Sequence, residues 1–210
     1  MNTDACDFIL KHYAPGRVCL VGLTGGAYDL VRMGQADITP DHARSKWNHA
    51  FLLGDQRGWF WWKRTYIFES DFQFSFRKAH FINGPRESLL QKWCKDSIEF
   101  ACVLGMCLTI EEARKVLAKA AEIARDNRYR YSVEGLFGTL WAMRRGTLHK
   151  QNIFNMKYAI QCSTYVRLCY QAIDKDPLAE STDDISNTSP ERLWQSPLFT
   201  LRHEWHRQSR

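Results

Sequence analysis

The sequence predicts an α+β fold in which an antiparallel sheet packs against helices. Two stretches rich in aromatic and β-branched residues, 47–53 and 59–68, are separated by a connection of hairpin length, residues 54–58. This spacing predicts two neighbouring antiparallel strands. Apolar residues later in the chain recur with helical spacing. A chain of 210 residues suits one core, so we predict a single domain over residues 1–210.

Local patterns place further elements in the first half of the chain. The second strand is predicted to end at residues 69–71, and the alternation of Phe72, Phe74 and Phe76 with polar residues predicts another strand after it. The remaining predicted elements are an amphipathic helix at residues 1–14, an apolar strand at 17–23, a helix at 85–95 and an apolar strand at 98–108.

Helices dominate the predictions for the second half. Thr109 and Glu112 have the spacing of a capping box and open a helix that runs to about Arg125. A further helix is predicted to end near Arg145. Residues 174–190 are rich in Asp, Ser, Thr and Pro and predict an exposed loop, after which Pro190 at the first helical position opens a last short helix.

Composition excludes several classes of protein. Hydrophobic residues make up 45% of the chain, which is globular and not disordered, and no apolar run reaches the length of a transmembrane helix. The first seven residues are acidic and no apolar segment follows, so we predict no signal peptide and a cytoplasmic site of synthesis. The net charge of +6 is spread along the chain, and without a nucleic-acid motif we expect no nucleic-acid partner.

The cysteines predict neither a disulfide framework nor a zinc site. There are seven of them, an odd number, and none forms a CxxC pair. A reducing compartment is the simplest inference. Most lie in apolar runs typical of small core residues, as Cys19 and Cys102 do.

Cys162 has a different context. Apolar residues at Cys162, Tyr165 and Cys169 have the spacing of a helix with one buried face, and the polar stretch before them places Cys162 in the first turn. At that position, free backbone N–H groups and the helix dipole stabilise a thiolate, and they can also stabilise the oxyanion of a tetrahedral intermediate. The alternative is an ordinary buried helical cysteine.

A nucleophilic cysteine needs a base, usually oriented by a third polar group. His49 lies inside an apolar strand, where an imidazole requires a partner, and Glu69 ends the next strand. Two strands joined as a hairpin would bring His49 and Glu69 together. The pair is equally consistent with a purely structural role. The other histidines lie in less distinctive contexts, and His80 and His149 remain alternative bases; the rest are His12, His42, His203 and His206.

These motifs, in this order, resemble the circularly permuted papain-like hydrolases of the NlpC type, the YiiX-like group. The sequence has a Trp-Asn-His strand ending at His49, an acid at Glu69 and a late Cys-Ser-Thr-Tyr-Val helix start at Cys162. In ordinary papain-like enzymes the cysteine precedes the histidine; the reversed order here is that of the permuted branch. Residues 108–113 and 189–196 are similar to the family's Leu-Thr-x-Glu-Glu-Ala and closing Pro-x-x-Leu-x-x-Ser segments.

The resemblance implies a permuted papain-like fold and a cysteine peptidase or amidase. Cys162 would be the nucleophile, His49 the base and Glu69 the group that orients His49, with a thioester intermediate and no metal or organic cofactor. The implied substrates are peptides, above all peptidoglycan stem peptides. Without a signal peptide, a role outside the cell requires a specialised secretion system, as for an antibacterial effector. A lipid-directed acyl hydrolase or acyltransferase and a catalytically inactive binding module are the alternatives.

Overall fold

The computed structural model describes residues 3–208 except residues 60–61, 76–79 and 155. Within these ranges the chain is α+β, with one six-stranded antiparallel sheet in the order β4-β3-β2-β1-β5-β6 and six α-helices. The strands are β1 Val18–Leu23, β2 His49–Arg57, β3 Arg64–Ser75, β4 His80–Leu89, β5 Ile98–Gly105 and β6 Leu201–His206. The helices are α1 Thr3–Lys11, α2 Ala27–Gly34, α3 Ile110–Arg125, α4 Val133–Arg145, α5 Cys162–Gln171 and α6 Pro190–Gln195.

Both faces of the central strands are buried. In β1, Val18 and Leu20 pack into one core with residues of α3 and α5, whereas Cys19 and Val21 pack into a second core with residues of α1. Successive side chains of a strand point to opposite faces, so the continuous apolar run of β1 serves both cores. The helices therefore lie on the two sides of the sheet. On one of these sides, α5 packs against β2 and β3.

The predicted pairing of the two aromatic strands is confirmed. β2 and β3 are antiparallel neighbours with Leu52 opposite Phe68. The bounds differ from the prediction: β2 runs from His49 to Arg57, β3 begins only at Arg64, and the connection is residues 58–63. Glu69 was predicted to end its strand but lies inside β3, which continues to Ser75. Phe72 and Phe74 continue β3 and do not form a separate strand, because β3 pairs with β4 as far as Ser75. Phe76 and residues 60–61, which were part of these predictions, lie outside the described residues.

The predicted helix at residues 85–95 is wrong. Residues 80–89 form β4, and only Leu90–Trp93 is helical, as a short 3-10 turn. Ten residues of β3 pair with β4, and this tertiary pairing overrides the local pattern. Pro85 is tolerated because β4 is an edge strand of the sheet.

Two features near the C-terminus go beyond or against the sequence analysis. Residues 201–206, for which no element was predicted, form β6, which pairs with β5 at the other edge of the sheet. The loop predicted at residues 174–190 contains a 3-10 turn, Ile185–Asn187, and is exposed only in part: Asn187 and Thr188 are fully buried. The Asn187 side chain donates hydrogen bonds to the backbone oxygens of Leu148 and Lys150, so this loop is part of the packed structure.

The other predicted helices are confirmed. Thr109 and Glu112 form the reciprocal hydrogen bonds of a capping box at the start of α3. α4 ends at Arg145, where Gly146 adopts the left-handed conformation. α5 begins at Cys162, and α6 has Pro190 in its first turn. No helix in the described ranges is long and apolar enough to cross a lipid bilayer.

A disulfide joins Cys6 of α1 to Cys94, which follows the 3-10 turn Leu90–Trp93. The sequence analysis did not expect one. Because α1 packs against this turn, the two Cα atoms lie 5.5 Å apart although 88 residues separate them in sequence. The remaining cysteines, all of them free, are Cys19, Cys102, Cys107, Cys162 and Cys169.

Gly22 allows the chain to pass close beside β1 just before β2. A Cβ atom at Gly22 would lie 1.9 Å from the Lys46 carbonyl oxygen, so Gly22→Ala must displace the backbone that leads to His49. We expect the free energy of unfolding, measured by urea denaturation, to fall by about 1–3 kcal/mol or more. Gly105→Ala is the matched control, because its nearest contact would be 3.4 Å from the Arg17 side chain. Equal stabilities of the two variants would contradict this account of Gly22.

Candidate active site

His49 is the first residue of β2, and hydrogen bonds to β1 hold this end of the strand. Its backbone pairs with Val21 of β1. The preceding Asn48 is buried, and its side chain donates to the Leu23 carbonyl oxygen at 2.8 Å and accepts from the Leu23 N–H at 3.2 Å. These hydrogen bonds fix the start of the strand, so the imidazole of His49, only 4% exposed, has a defined position.

Glu69 lies on the neighbouring strand β3 and is completely buried. Its Oε2 atom lies 3.3 Å from Nε2 of His49 and accepts a hydrogen bond of 2.7 Å from the Trp93 indole N–H. The other carboxylate oxygen accepts a hydrogen bond of 2.6 Å from Nζ of Lys92. A buried carboxylate is tolerated only when such donors replace water, so these contacts account for its burial.

Asp71 extends the charged cluster by one step along the strand. It lies two residues after Glu69 and on the same face of β3. Lys92 bridges the two carboxylates, with Nζ 2.5 Å from Asp71 Oδ2. Arg86 of β4 lies 3.5 Å from Glu69 and 3.8 Å from Asp71. Two carboxylates and two cations therefore meet behind His49.

Cys162 is the first residue of α5 and is 5% exposed. The preceding Gln161 makes no side-chain cap to the helix; its amide donates to Thr139 of α4 instead. The first N–H groups of α5 thus lack the usual capping acceptor, which leaves a positive helix end at the thiol. Ser70 of β3 donates to the Ile160 carbonyl oxygen at 2.9 Å and holds this segment beside Glu69.

The electrostatic interactions join His49 to both partners. Burial alone would lower the pKa of His49, but the hydrogen bond and charge of Cys162 and the hydrogen bond with Glu69 outweigh it and raise that pKa to about 10. Burial would raise the pKa of Glu69, but His49 and Lys92 hold it well below its usual value. The arrangement favours an imidazolium beside an ionised Glu69 carboxylate.

These directions set the pH dependence of stability. Because the pKa of His49 is raised in the folded protein, its contribution is complete below its ordinary value of 6.5 and is lost as pH rises toward about 10. The Glu69 pKa is lowered, so its contribution is present above the ordinary value of 4.5 and is lost as pH falls through the lower value of the folded state.

The other free cysteines lie in different surroundings. Burial raises the pKa of Cys19, Cys102 and Cys169, whose side chains pack within the two cores. Cys107 is exposed at the other end of the sheet from His49, beyond the end of β5. Of the free thiols, only that of Cys162 interacts with an imidazole in the described part of the chain.

Aromatic side chains surround the site. The Trp93 ring packs against His49 with the ring centroids 4.5 Å apart. Burial, together with the charges of Asp71 and Glu69, raises the pKa of Tyr28 to about 12. Burial and the charges of Cys162 and Asp71 also raise the pKa of Tyr131. Both phenols therefore remain neutral hydrogen-bonding groups at neutral pH.

The structure thus brings together Cys162, His49 and Glu69, the three residues that the sequence analysis selected. The sequence analysis missed the groups that hold Glu69. Lys92 and Trp93 were assigned to the helix that was wrongly predicted at residues 85–95, so their position beside Glu69 was not expected. The period-two spacing of Glu69 and Asp71 does predict that both carboxylates lie on one face of a strand. The alternative base His149 is exposed, and His12 and His203 stack on each other at the β6 edge.

No family model matches this chain, and no curated protein matches it. Among the described residues, no group of three or more His, Cys, Asp or Glu side chains could hold a metal ion.

Cys162→Ala should lower the pKa of His49. The substitution removes the hydrogen bond and charge that raise this pKa, while burial, which lowers it, remains. An NMR titration of the imidazole nitrogens should show His49 losing its proton at lower pH than in the wild type. The matched control, Cys169→Ala, removes a buried cysteine from the same helix and should leave the titration unchanged. An unaltered titration in Cys162→Ala would disprove the contact between the two side chains.

Proposed function

We propose that the protein is a cysteine peptidase or amidase that acts through Cys162, His49 and Glu69. The observation that carries the proposal is the position of His49, which interacts with Glu69 through Nε2 and with Cys162 at the start of α5. Nucleophile, base and orienting group are the parts that covalent acyl transfer requires.

In the proposed mechanism, Cys162 and His49 react as a thiolate–imidazolium pair. Since Nε2 faces Glu69, the other ring nitrogen of His49 is the one available to the thiol. The thiolate attacks the substrate carbonyl, and the N–H groups at the start of α5 stabilise the oxyanion. His49 then protonates the leaving amine, giving a thioester. Water, deprotonated by His49, hydrolyses the thioester and regenerates the thiol.

Glu69 has the role of keeping the imidazole in place. Because Lys92 and Trp93 each donate to one of its oxygens, the carboxylate cannot rotate freely away from His49. Its negative charge also stabilises the imidazolium that forms during the reaction.

We propose a permuted papain-like fold and, as substrates, peptidoglycan stem peptides. Both rest on the resemblance to the NlpC-type YiiX-like group, in which the histidine precedes the cysteine as His49 precedes Cys162. The antiparallel sheet with α5 packed against β2 and β3 is compatible with this fold. In this proposal one domain carries the activity, and action on the cell wall requires delivery by a specialised secretion system.

A lipid-directed acyl hydrolase is the second candidate. The observation that favours it is a group of exposed apolar side chains on α2, on α4 and in the segment before α5, including Met33, Trp141 and Phe154. Such a surface suits an amphiphilic substrate better than a soluble peptide. The reaction steps would be the same, with an alcohol as the leaving group.

Iodoacetamide at pH 6 should modify Cys162 before any other thiol. The imidazole of His49 can take the proton from the Cys162 thiol, and the helix start stabilises negative charge on the sulfur, so Cys162 should react fastest. Peptide mapping by mass spectrometry under non-reducing conditions identifies the modified residue. His49→Ala should slow the labelling of Cys162, and Cys107→Ala should leave it unchanged. Faster labelling of the exposed Cys107 would count against the proposal.

Substitution of the three residues should impair turnover to different degrees. Cys162→Ala removes the nucleophile and should abolish hydrolysis. His49→Ala should reduce it about 10²–10⁴-fold, because general-base assistance is lost. Glu69→Gln should have a smaller effect, since the amide still accepts a hydrogen bond but no longer stabilises the imidazolium.

The assay is incubation with peptidoglycan fragments and, separately, with phospholipids, followed by mass spectrometry of the products. Cleavage of one set alone decides between the peptidase and the lipid hydrolase. Near-native turnover by Cys162→Ala, or an essential His80 or His149 with a dispensable His49, would refute the assigned triad. Absence of turnover on both sets in the wild type would favour the inactive binding module.

A further inference from the structure

A group of exposed apolar side chains surrounds an open groove of about 740 Å³ between α2 and α4. We call this surface the α2–α4 face. Its five large apolar side chains are between 46% and 71% exposed and come from three separate segments of the chain. These five residues are Met33, Phe137, Trp141, Ile153 and Phe154.

The exposure of this face is not a by-product of core packing. The opposite side of α4 packs through Ala142 and Met143 against Leu148, so the helix already has a buried face. Phe137 and Trp141 lie four residues apart on its outer side. A contiguous apolar cluster on a protein surface is typical of a binding site, whereas single exposed apolar residues are common.

Cationic side chains border the apolar groove. Arg144 lines it, and the guanidinium of Arg145 lies 4.7 Å from the centre of the Trp141 ring. Lys157 lines a smaller cavity next to Phe154. The groove lining contains one carboxylate, Asp37. Tryptophan, phenylalanine and aliphatic side chains bordered by Arg and Lys are the composition of protein surfaces that enter a lipid–water interface.

We propose that the α2–α4 face docks onto an anionic lipid surface. The apolar side chains enter the head-group region, and Arg144, Arg145 and Lys157 pair with lipid phosphates. This inference goes beyond the proposed function and does not depend on it, because docking requires no catalysis.

The face is continuous with the segment that carries Cys162. Phe154 lines both the groove and the neighbouring cavity of about 210 Å³, and Gln161, the residue before Cys162, lines that second cavity. Docking would therefore orient the start of α5 toward the lipid.

A second exposed aromatic surface provides an internal comparison. Trp59 and Trp62 are 85% and 76% exposed and lie in the β2–β3 connection. His49 is at the start of β2, and this connection follows the end of β2. The two tryptophans therefore lie at the opposite end of the strand from the candidate active site. If Trp59 and Trp62 bound the lipid surface instead, the candidate active site would lie at the far end of β2 from that surface.

The test is flotation with vesicles of phosphatidylcholine containing phosphatidylglycerol, compared with vesicles of phosphatidylcholine alone. Wild type and Cys162→Ala, which lacks the nucleophile, should both bind the anionic vesicles and bind the neutral ones more weakly. The double variant Arg144→Glu, Arg145→Glu should lower the partition coefficient more than about tenfold. Trp141→Ala should lower it about fivefold.

Matched controls separate a specific face from general charge and hydrophobicity. Arg114→Glu, Lys115→Glu makes the same charge change at two adjacent exposed positions of α3, and Trp59→Ala removes a tryptophan at the other end of β2. Both should bind like the wild type. Thermal unfolding checks each variant, and Phe137→Gln replaces any α4 variant that fails to fold.

The proposal is overturned if the wild type does not bind anionic vesicles, which would leave the face to a protein partner. It is also overturned if either control variant loses as much binding as the α4 variants. Cys162→Ala lacks the proposed nucleophile but keeps the α2–α4 face, so its binding to vesicles tests docking without catalysis. Failure of docking can therefore be distinguished from failure of the proposed catalysis.

Discussion

The buried carboxylate of Glu69 is the constraint on which the candidate site depends. A carboxylate with no solvent exposure is costly, on the order of several kcal/mol, unless donors replace its lost water. Here the donors come from β2 and from the turn after β4, and β3 carries the carboxylate itself. Those three segments must therefore adopt their observed positions together, because displacement of any one leaves a charge buried without a partner.

The protonation of His49 depends on Cys162 and on the charged cluster together. In an apolar core, burial would make the imidazole neutral, and a neutral imidazole would give the thiol no positive neighbour. The charge and hydrogen bond of Cys162, the hydrogen bond with Glu69 and the charge of Asp71 together reverse this preference. Lys92 and Arg86 limit the repulsion between the two carboxylates. The Cys6–Cys94 disulfide lies directly after Trp93, so α1 is covalently attached to the turn that supplies two of the donors.

The sequence allowed prediction of the parts that local patterns determine. A strand that contains His49, an acid on the next strand at Glu69 and a helix start at Cys162 follow from the apolar patterns and the helical spacing. The support for Glu69 could not be predicted, because β4 forms by pairing with β3 and its own sequence includes Pro85. The disulfide depends on packing between segments 88 residues apart, and the pairing of β6 with β5 is equally non-local.

The sequence separation of the candidate base and nucleophile determines when, during folding, the two side chains can meet. His49 and Cys162 are the first residues of β2 and α5, and 113 residues (162 − 49) separate them along the chain. The two side chains can meet only when a long loop closes. Closing such a loop costs conformational entropy, so contacts of this kind form later in folding than local structure does. In the proposed mechanism, a nascent or unfolded chain therefore carries an ordinary thiol, and the proposed nucleophile meets its base only after β2 and α5 have come together.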